Sequence, residues 1–238
     1  MTSETHIVSS FDRDLQALQA QLVRMCALVE TALVEAATAL ETRDLALAEA
    51  VMARDAAIDA LDDLINTEAA SIIARRAPTA SDLRLILAAM RASHSLERVG
   101  DYAKNMAKRT RILATMPEIG GSSGTVRRMA KLVAVMLEES MRALVRRDAA
   151  LAEEVRARDL DIDQMYNTLF RSLLTHMLES PANISACMHL HFIAKNVERA
   201  GDHATGIAEQ AIYLATGAAP AGDRPKADTT APGGQGAV

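Results

Sequence analysis

Glu97-Arg98-Val99-Gly100-Asp101-Tyr102-Ala103-Lys104-Asn105 returns 101 residues later as Glu198-Arg199-Ala200-Gly201-Asp202-His203-Ala204-Thr205, with Glu, Arg, Gly, Asp and Ala in register. Glu97 and Asp101 are spaced i, i+4, as are Glu198 and Asp202. On a helix each pair therefore stacks on one face, with Cβ atoms about 5–6 Å apart. Like charges so placed repel by about 0.2–0.5 kcal/mol on a solvated helix, and a bound cation reverses the sign.

The repeat extends outward from this stretch. Arg43-Asp44 matches Arg147-Asp148, Ala53-Arg54-Asp55 matches Ala157-Arg158-Asp159, and Ile58-Asp59 matches Ile162-Asp163, all at an offset of 104. A second carboxylate motif emerges, Asp55/Asp59 and Asp159/Asp163, again at i, i+4. One unit is used twice.

Apolar residues recur every three or four positions in each unit: Leu15, Leu18, Leu22, Met25 and Val29 begin a first helix running from Phe11 to about Leu40. Asp44 is the expected N-cap of a second helix that ends before Pro78. Ser81 is the expected cap of a third helix, which gives way at Pro117 and the Gly120–Gly124 stretch. The plan then repeats, with breaks at Arg146-Arg147-Asp148 and Pro181 and a last helix to about Thr216. Long helices joined by short loops lie antiparallel. The predicted fold is all-α: two tandem three-helix bundles, at 6–118 and 122–216, and a Pro/Gly-rich tail, 217–238, that cannot build a core.

Composition agrees with helices packed on helices. Of 238 residues half are apolar, yet only 3% are aromatic and there is no Trp. Net charge is −5 with both signs interspersed, so the basic stripe that a nucleic acid requires is missing. No run of 18 apolar residues or signal-peptide pattern occurs, so any membrane association is expected to be peripheral. Cys26 and Cys187 fall inside helical patterns and are expected to be buried reduced thiols.

If each second helix packs against its third, four carboxylates surround one site per half: Asp55, Asp59, Glu97 and Asp101 in the first, Asp159, Asp163, Glu198 and Asp202 in the second. Oxygen-only ligation suits Mg²⁺, Mn²⁺, Ca²⁺ or iron in a carboxylate-rich cluster. At 100° per residue Leu83, Leu87, Met90, His94, Glu97, Asp101 and Asn105 share one stripe of the third helix, which predicts a row that turns from core to acid. Arg98 and Arg199 are alternative partners of the acids, as ion pairs. His94 and His203 are not equivalent in the two halves and are left outside the site. Gly100 and Gly201 interrupt helices, which predicts a close approach there. No phosphate loop, nucleophile elbow or dinucleotide fingerprint is present, so no enzyme activity is expected.

The doubled Glu-Arg-x-Gly-Asp motif within two three-helix repeats resembles the PhoU family of phosphate-uptake regulators over about residues 6–216. The resemblance implies a cytoplasmic regulator, usually a homodimer, acting with the phosphate ABC transporter and the sensor histidine kinase of the phosphate-starvation response to repress uptake when phosphate is plentiful. It also implies metal ions, of iron, manganese, magnesium or zinc, on the eight carboxylates named above. Gly206 stands where the family often has Asn and where the first repeat keeps Asn105. Two other readings stay open: a structural helical adaptor without metal, and a ferritin-like carboxylate metalloprotein. The latter would need Glu-x-x-His motifs, and Glu97 and Glu198 are followed three residues on by Gly100 and Gly201.

Overall fold

The computed structural model describes residues 2–218, with side chains from residue 11 onward. Apart from Gly217 and Ala218, the expected tail lies outside the described residues. Within them the chain forms six long helices and no strand: α1 (Thr2–Thr42), α2 (Leu45–Arg76), α3 (Ala80–Leu113), α4 (Ser122–Arg146), α5 (Ala149–Glu179) and α6 (Ile184–Thr216). A short 3₁₀ turn at Pro181–Asn183 leads into α6.

The corners of the repeat are built alike. Arg43 and Arg147 take the left-handed conformation at the ends of α1 and α4, with φ of 54° and 55°. The following aspartate caps the next helix: Asp44 Oδ1 accepts from the Leu47 amide at 2.9 Å and Asp148 Oδ1 from the Leu151 amide at 3.0 Å. Each satisfies an amide that the helix itself leaves open. Ser81 does not cap α3. That helix begins earlier, at Ala80, with Thr79 at the N-cap and no side-chain capping bond. The first helix likewise starts well before Phe11.

α1, α3, α6 and α4 pack in a closed ring, each against the next, while α2 lies outside against α1 and α3, and α5 outside against α4 and α6. The two three-helix units thus merge into a central four-helix arrangement flanked by two outer helices. Leu22, Met25 and Leu33 of α1, Ile86, Leu96 and Met106 of α3, and Met129, Met136 and Leu137 of α4 belong to one connected apolar core. The Gly-rich stretch separates the units in sequence but not in their core. A local pseudo-twofold relates them: Tyr102 meets its repeat counterpart His203, Oη to Nε2 3.5 Å. To one side Arg91 donates to Gln210 at 3.3 Å. To the other, Arg109 lies 4.4 Å from the Phe192 ring centroid and donates to His189 Nδ1 at 3.0 Å.

The stripe expected to turn from core to acid is not a core row at its start. Leu87 is exposed and Leu83 and Met90 only partly buried, while α3 buries Leu85, Ile86, Ala89, Leu96, Val99 and Met106 instead. The acids continue a solvent-facing edge of α3. In α6 the matching row starts exposed at Ile184 and Met188 and becomes buried only at Glu198.

Candidate metal face on each repeat

Both acidic faces are set by a glycine. A Cβ at Gly100 would sit 3.1 Å from Ile58 Cδ1, closer than carbon atoms pack at their optimum. α3 therefore approaches α2 where Asp55 and Asp59 flank Ile58 on one helix and Glu97 and Asp101 flank Gly100 on the other. In the second unit a Cβ at Gly201 would lie 3.3 Å from Asp159 Oδ1, 3.6 Å from Ile162 and 3.7 Å from Val133. The expected close approach is present in both halves.

In the first unit Asp55 is buried, Glu97 and Asp101 are partly buried and Asp59 is exposed. Lys104, one turn beyond Asp101, pairs with Asp55, and that hydrogen bond raises the lysine pKa despite some loss of hydration. Arg98 lies 3.6 Å from Glu97 and 3.7 Å from Asp101, and His94 Nδ1 is 3.9 Å from Glu97. Lys104 and Arg98 leave the face incompletely compensated. Some loss of hydration, despite its exposure, and then the Asp55 charge push the Asp59 pKa up; partial burial and then Asp101 do the same to Glu97. Asp101 also acts on Asp59 across the α2–α3 interface.

In the second unit Asp159, Asp163 and Glu198 are 1%, 3% and 5% exposed, and Asp202 is partly buried. Lys195 Nζ lies 3.0 Å from Glu198 Oε1 and 5.0 Å from the centroid of the Tyr166 ring. Tyr166 is itself buried, with Phe170 and His191 beside it at centroid distances of 6.5 and 6.0 Å.

Sequence reasoning missed several neighbours. Asp62, Asp63 and His94 join Asp59, Glu97 and Arg98 around an open cavity of about 310 Å³. Asp63 continues the i, i+4 ladder that singled out Asp55 and Asp59, so the signal was present. Lys104 and Lys195 escaped because they are not repeat equivalents: their counterparts are Thr205 and His94.

The donor set suits a hard, oxygen-preferring cation, and the raised carboxyl pKa values mark where positive charge would be welcome in the first unit. Among the described residues no three His, Cys, Asp or Glu side chains converge as a ready coordination sphere. Metal entry on the first face would require carboxylates to turn away from Lys104 and Arg98. On the second it would compete with Lys195.

Two fused three-helix repeats, each with carboxylates at a glycine contact, define a duplicated all-α protein. A family model, the PhoU domain, matches residues 22–110 and again residues 126–211. The chain belongs to the PhoU family. It is 43% identical to a phosphate-specific transport system accessory protein PhoU homolog of Rhizobium meliloti (strain 1021), over 96% of each chain. A Caulobacter vibrioides (strain NA1000 / CB15N) protein of the same name is 42% identical, over 94% of this chain and 97% of its own. The crystal structure of PhoU from Pseudomonas aeruginosa superposes with a TM-score of 0.84 at 37% identity, covering 87% of this chain and 100% of that one. That of the phosphate transport system regulatory protein PhoU from Streptococcus pneumoniae gives 0.78 at 27%, covering 88% and 99%.

Proposed function

We infer that this chain is a non-catalytic accessory regulator of phosphate transport, acting on the cytoplasmic side with the phosphate ABC transporter and its sensor histidine kinase. The observation that carries this reading is the doubled acidic face at Gly100 and Gly201, in a chain whose relatives are named as accessory proteins of the phosphate-specific transport system. No helix among the described residues is long and apolar enough to cross a membrane, so contact with such a transporter would be through its exposed parts. Regulation requires that the chain bind the phosphate-replete arrangement of its partners more tightly than the starved one, because equal affinity shifts nothing.

On this reading Asp55, Asp59, Glu97 and Asp101 hold a cation in the first unit, and Asp159, Asp163, Glu198 and Asp202 in the second. A metal would fix α2 against α3 and α5 against α6, and so stiffen the surfaces that partners read. The ion pairs of Lys104, Arg98 and Lys195 favour a second reading, in which the acids are neutralised internally and the chain is a purely structural adaptor.

A phosphate-starvation reporter in cells lacking the gene tests the first reading, complemented by wild type or by the chain with Glu97, Asp101, Glu198 and Asp202 all changed to Ala. Derepression in high phosphate, restored by wild type but not by the folded variant, is the expected result. A deletion that leaves the reporter silent would overturn the regulatory role. Repression by the variant equal to wild type would leave the structural adaptor, which elemental analysis of chelator-free protein would check.

A further inference from the structure

Along the seam between α3 and α6, where the two repeats meet, equivalent positions on either side of the Tyr102–His203 contact carry two different fasteners. Arg91 and Phe192 are repeat counterparts, as are Arg109 and Gln210. On one side Arg91 Nη1 donates to Gln210 Oε1 at 3.3 Å. On the other the guanidinium of Arg109 lies 4.4 Å from the Phe192 ring centroid. A third residue joins this second fastener, because Arg109 Nη1 also donates to His189 Nδ1 at 3.0 Å. The counterpart of His189 is the buried Ala88, so the first fastener has no imidazole at that position.

The chemistry of that bond fixes the state of the imidazole. A guanidinium has N–H donors and no acceptor, so His189 Nδ1 must accept, and the ring is neutral with its proton on Nε2. A protonated ring would turn an N–H toward the N–H of Arg109 and bring two cations to hydrogen-bond distance. The influences on His189 are its own partial burial and the Arg109 charge, and both hold its pKa below the ordinary imidazole value, with no carboxylate among them. On α3, Lys108 and Arg111 stand either side of Arg109 in the chain and are exposed. Of the other helices packed on α6, α4 turns Arg127 to Glu41 of α1, while α5 keeps His176 3.4 Å from Glu179 and leaves Arg171 exposed. Within α6 itself Lys195 is held at Glu198, and His191 sits among the rings of Tyr166, Phe170 and Phe192. The Arg91–Gln210 bond contains no group that changes charge near neutral pH.

We propose that the α3–α6 seam carries a proton-operated latch at one end: a proton taken up on His189 Nδ1 releases Arg109 and loosens the end of α3 from the start of α6, while the Arg91–Gln210 end stays closed. What is left at the released end is the stacking of Arg109 on the exposed Phe192 ring, now opposed by the new charge beside it. The sign of the pH dependence follows from the lowered pKa. The folded chain takes this proton less readily than the unfolded one, so the latch contributes fully above the ordinary imidazole range and is lost as pH falls through the folded value. Acid would therefore change how one repeat sits on the other without touching the carboxylate faces. The latch is defined by the seam's own chemistry and goes beyond the regulatory reading.

The test uses the full chain in chelator. Long-range proton–nitrogen NMR of histidine-labelled protein, with His189 assigned by its loss in His189→Asn, should show the Nε2–H form at pH 7.5 and protonation only below the ordinary imidazole range. Hydrogen exchange, corrected for intrinsic rates, should show protection across 106–113 and 184–192 falling about tenfold between pH 7.5 and pH 5, as a local opening does, with protection around Arg91 and Gln210 unchanged. His189→Asn keeps an acceptor near the Nδ1 position and does not titrate, so its protection should hold over the same range. His203 is present in both chains, and its own titration cancels in the comparison. Arg109→Met should raise the pH at which His189 takes its proton; circular dichroism checks folding, and this shift identifies the His189 resonance if His189→Asn does not fold. The proposal is overturned by an Nδ1–H form at pH 7.5, by protection in wild type that does not fall or falls equally at both ends, or by a fall in His189→Asn that matches wild type. None of these readouts involves phosphate or metal, so their failure would leave the regulatory reading standing.

Discussion

The two acidic faces descend from one pattern and have parted in a definite direction. In the first repeat Asp62, Asp63 and His94 rim an open cavity; in the second the same positions hold Tyr166, Asn167 and Lys195. Tyr166 fills the space and Lys195 spans from its ring to Glu198. One face has become wetter and more negative, the other drier and internally paired. Carboxylates retained at matching positions thus sit in opposite electrostatic surroundings, and conserved spacing between repeats does not guarantee equal affinity for a cation.

The largest effects should come from reversing what fills the second face. Tyr166→Ala removes a buried ring and should destabilise by about 3–5 kcal/mol, the range for deleting a large core side chain. Asp62→Ala, at the matching place on an open rim, should stay within about 0.5 kcal/mol. Urea denaturation of both variants checks the contrast; equal costs would mean that the first cavity is closed in solution.

Next in size is the internal cation. Lys195→Met removes the cation 3.0 Å from the buried Glu198 carboxylate and should cost about 1–3 kcal/mol. Adding Glu198→Gln should recover much of that, because the loss lies in the uncompensated charge rather than in the missing contact. A double-mutant cycle measures the coupling. Additive losses would show that Lys195 and Glu198 are held by other neighbours and that the second face is not internally paired.

How far this was readable from the chain differs by level. Helical periods and the Arg-Asp corners forecast the helices and the cap at Asp44, because those depend on neighbours within a turn. The glycine contacts were legible too, since a glycine repeated in mid-helix must answer to something across from it. The neutralising cations were not. Lys104 and Lys195 approach their acids from opposite ends of the motif, and no alignment of the repeats pairs them. The ring of α1, α3, α6 and α4 was equally hidden, because an apolar stripe does not say whether its partner lies in its own unit or the next. Nor did the stripe through Leu87 reveal that its apolar start faces solvent, as its residue types suit either side.

Smaller effects attend the glycines, where the repeats differ by tenths of an ångström. Gly100→Ala gains about 1 kcal/mol of helix propensity but drives a methyl against the buried Ile58, and overpacking of that kind typically costs about 1–3 kcal/mol. A net loss is expected. At Gly206 a Cβ would meet nothing within 4 Å, so Gly206→Ala should stabilise by up to about 1 kcal/mol. Thermal melts of the two variants should shift in opposite directions. A stabilised Gly100→Ala would mean that Ile58 yields and that the close approach is not what the glycine secures.

The smallest effect is also the one that most directly separates the faces. In metal-free protein the folded-state pKa values of Glu97 and Asp59 are raised by loss of hydration and neighbouring carboxylates. Between the unfolded and the raised pKa the folded chain holds more protons, so this contribution to stability is greatest at low pH and is lost as pH rises through the folded values. Glu97→Gln should therefore leave stability at pH 7 equal to wild type or slightly above it, and flatten the pH dependence just above the usual carboxylate range. Denaturation curves from pH 4.5 to 7 in chelator check the slope. With a divalent cation added the order should reverse, wild type gaining stability that Glu97→Gln lacks, because the repulsion that burdens the empty face is what a cation would relieve. A metal-free wild type more stable than Glu97→Gln at pH 7 would show that Arg98 and His94 already compensate Glu97, and the first face would then be as internally paired as the second.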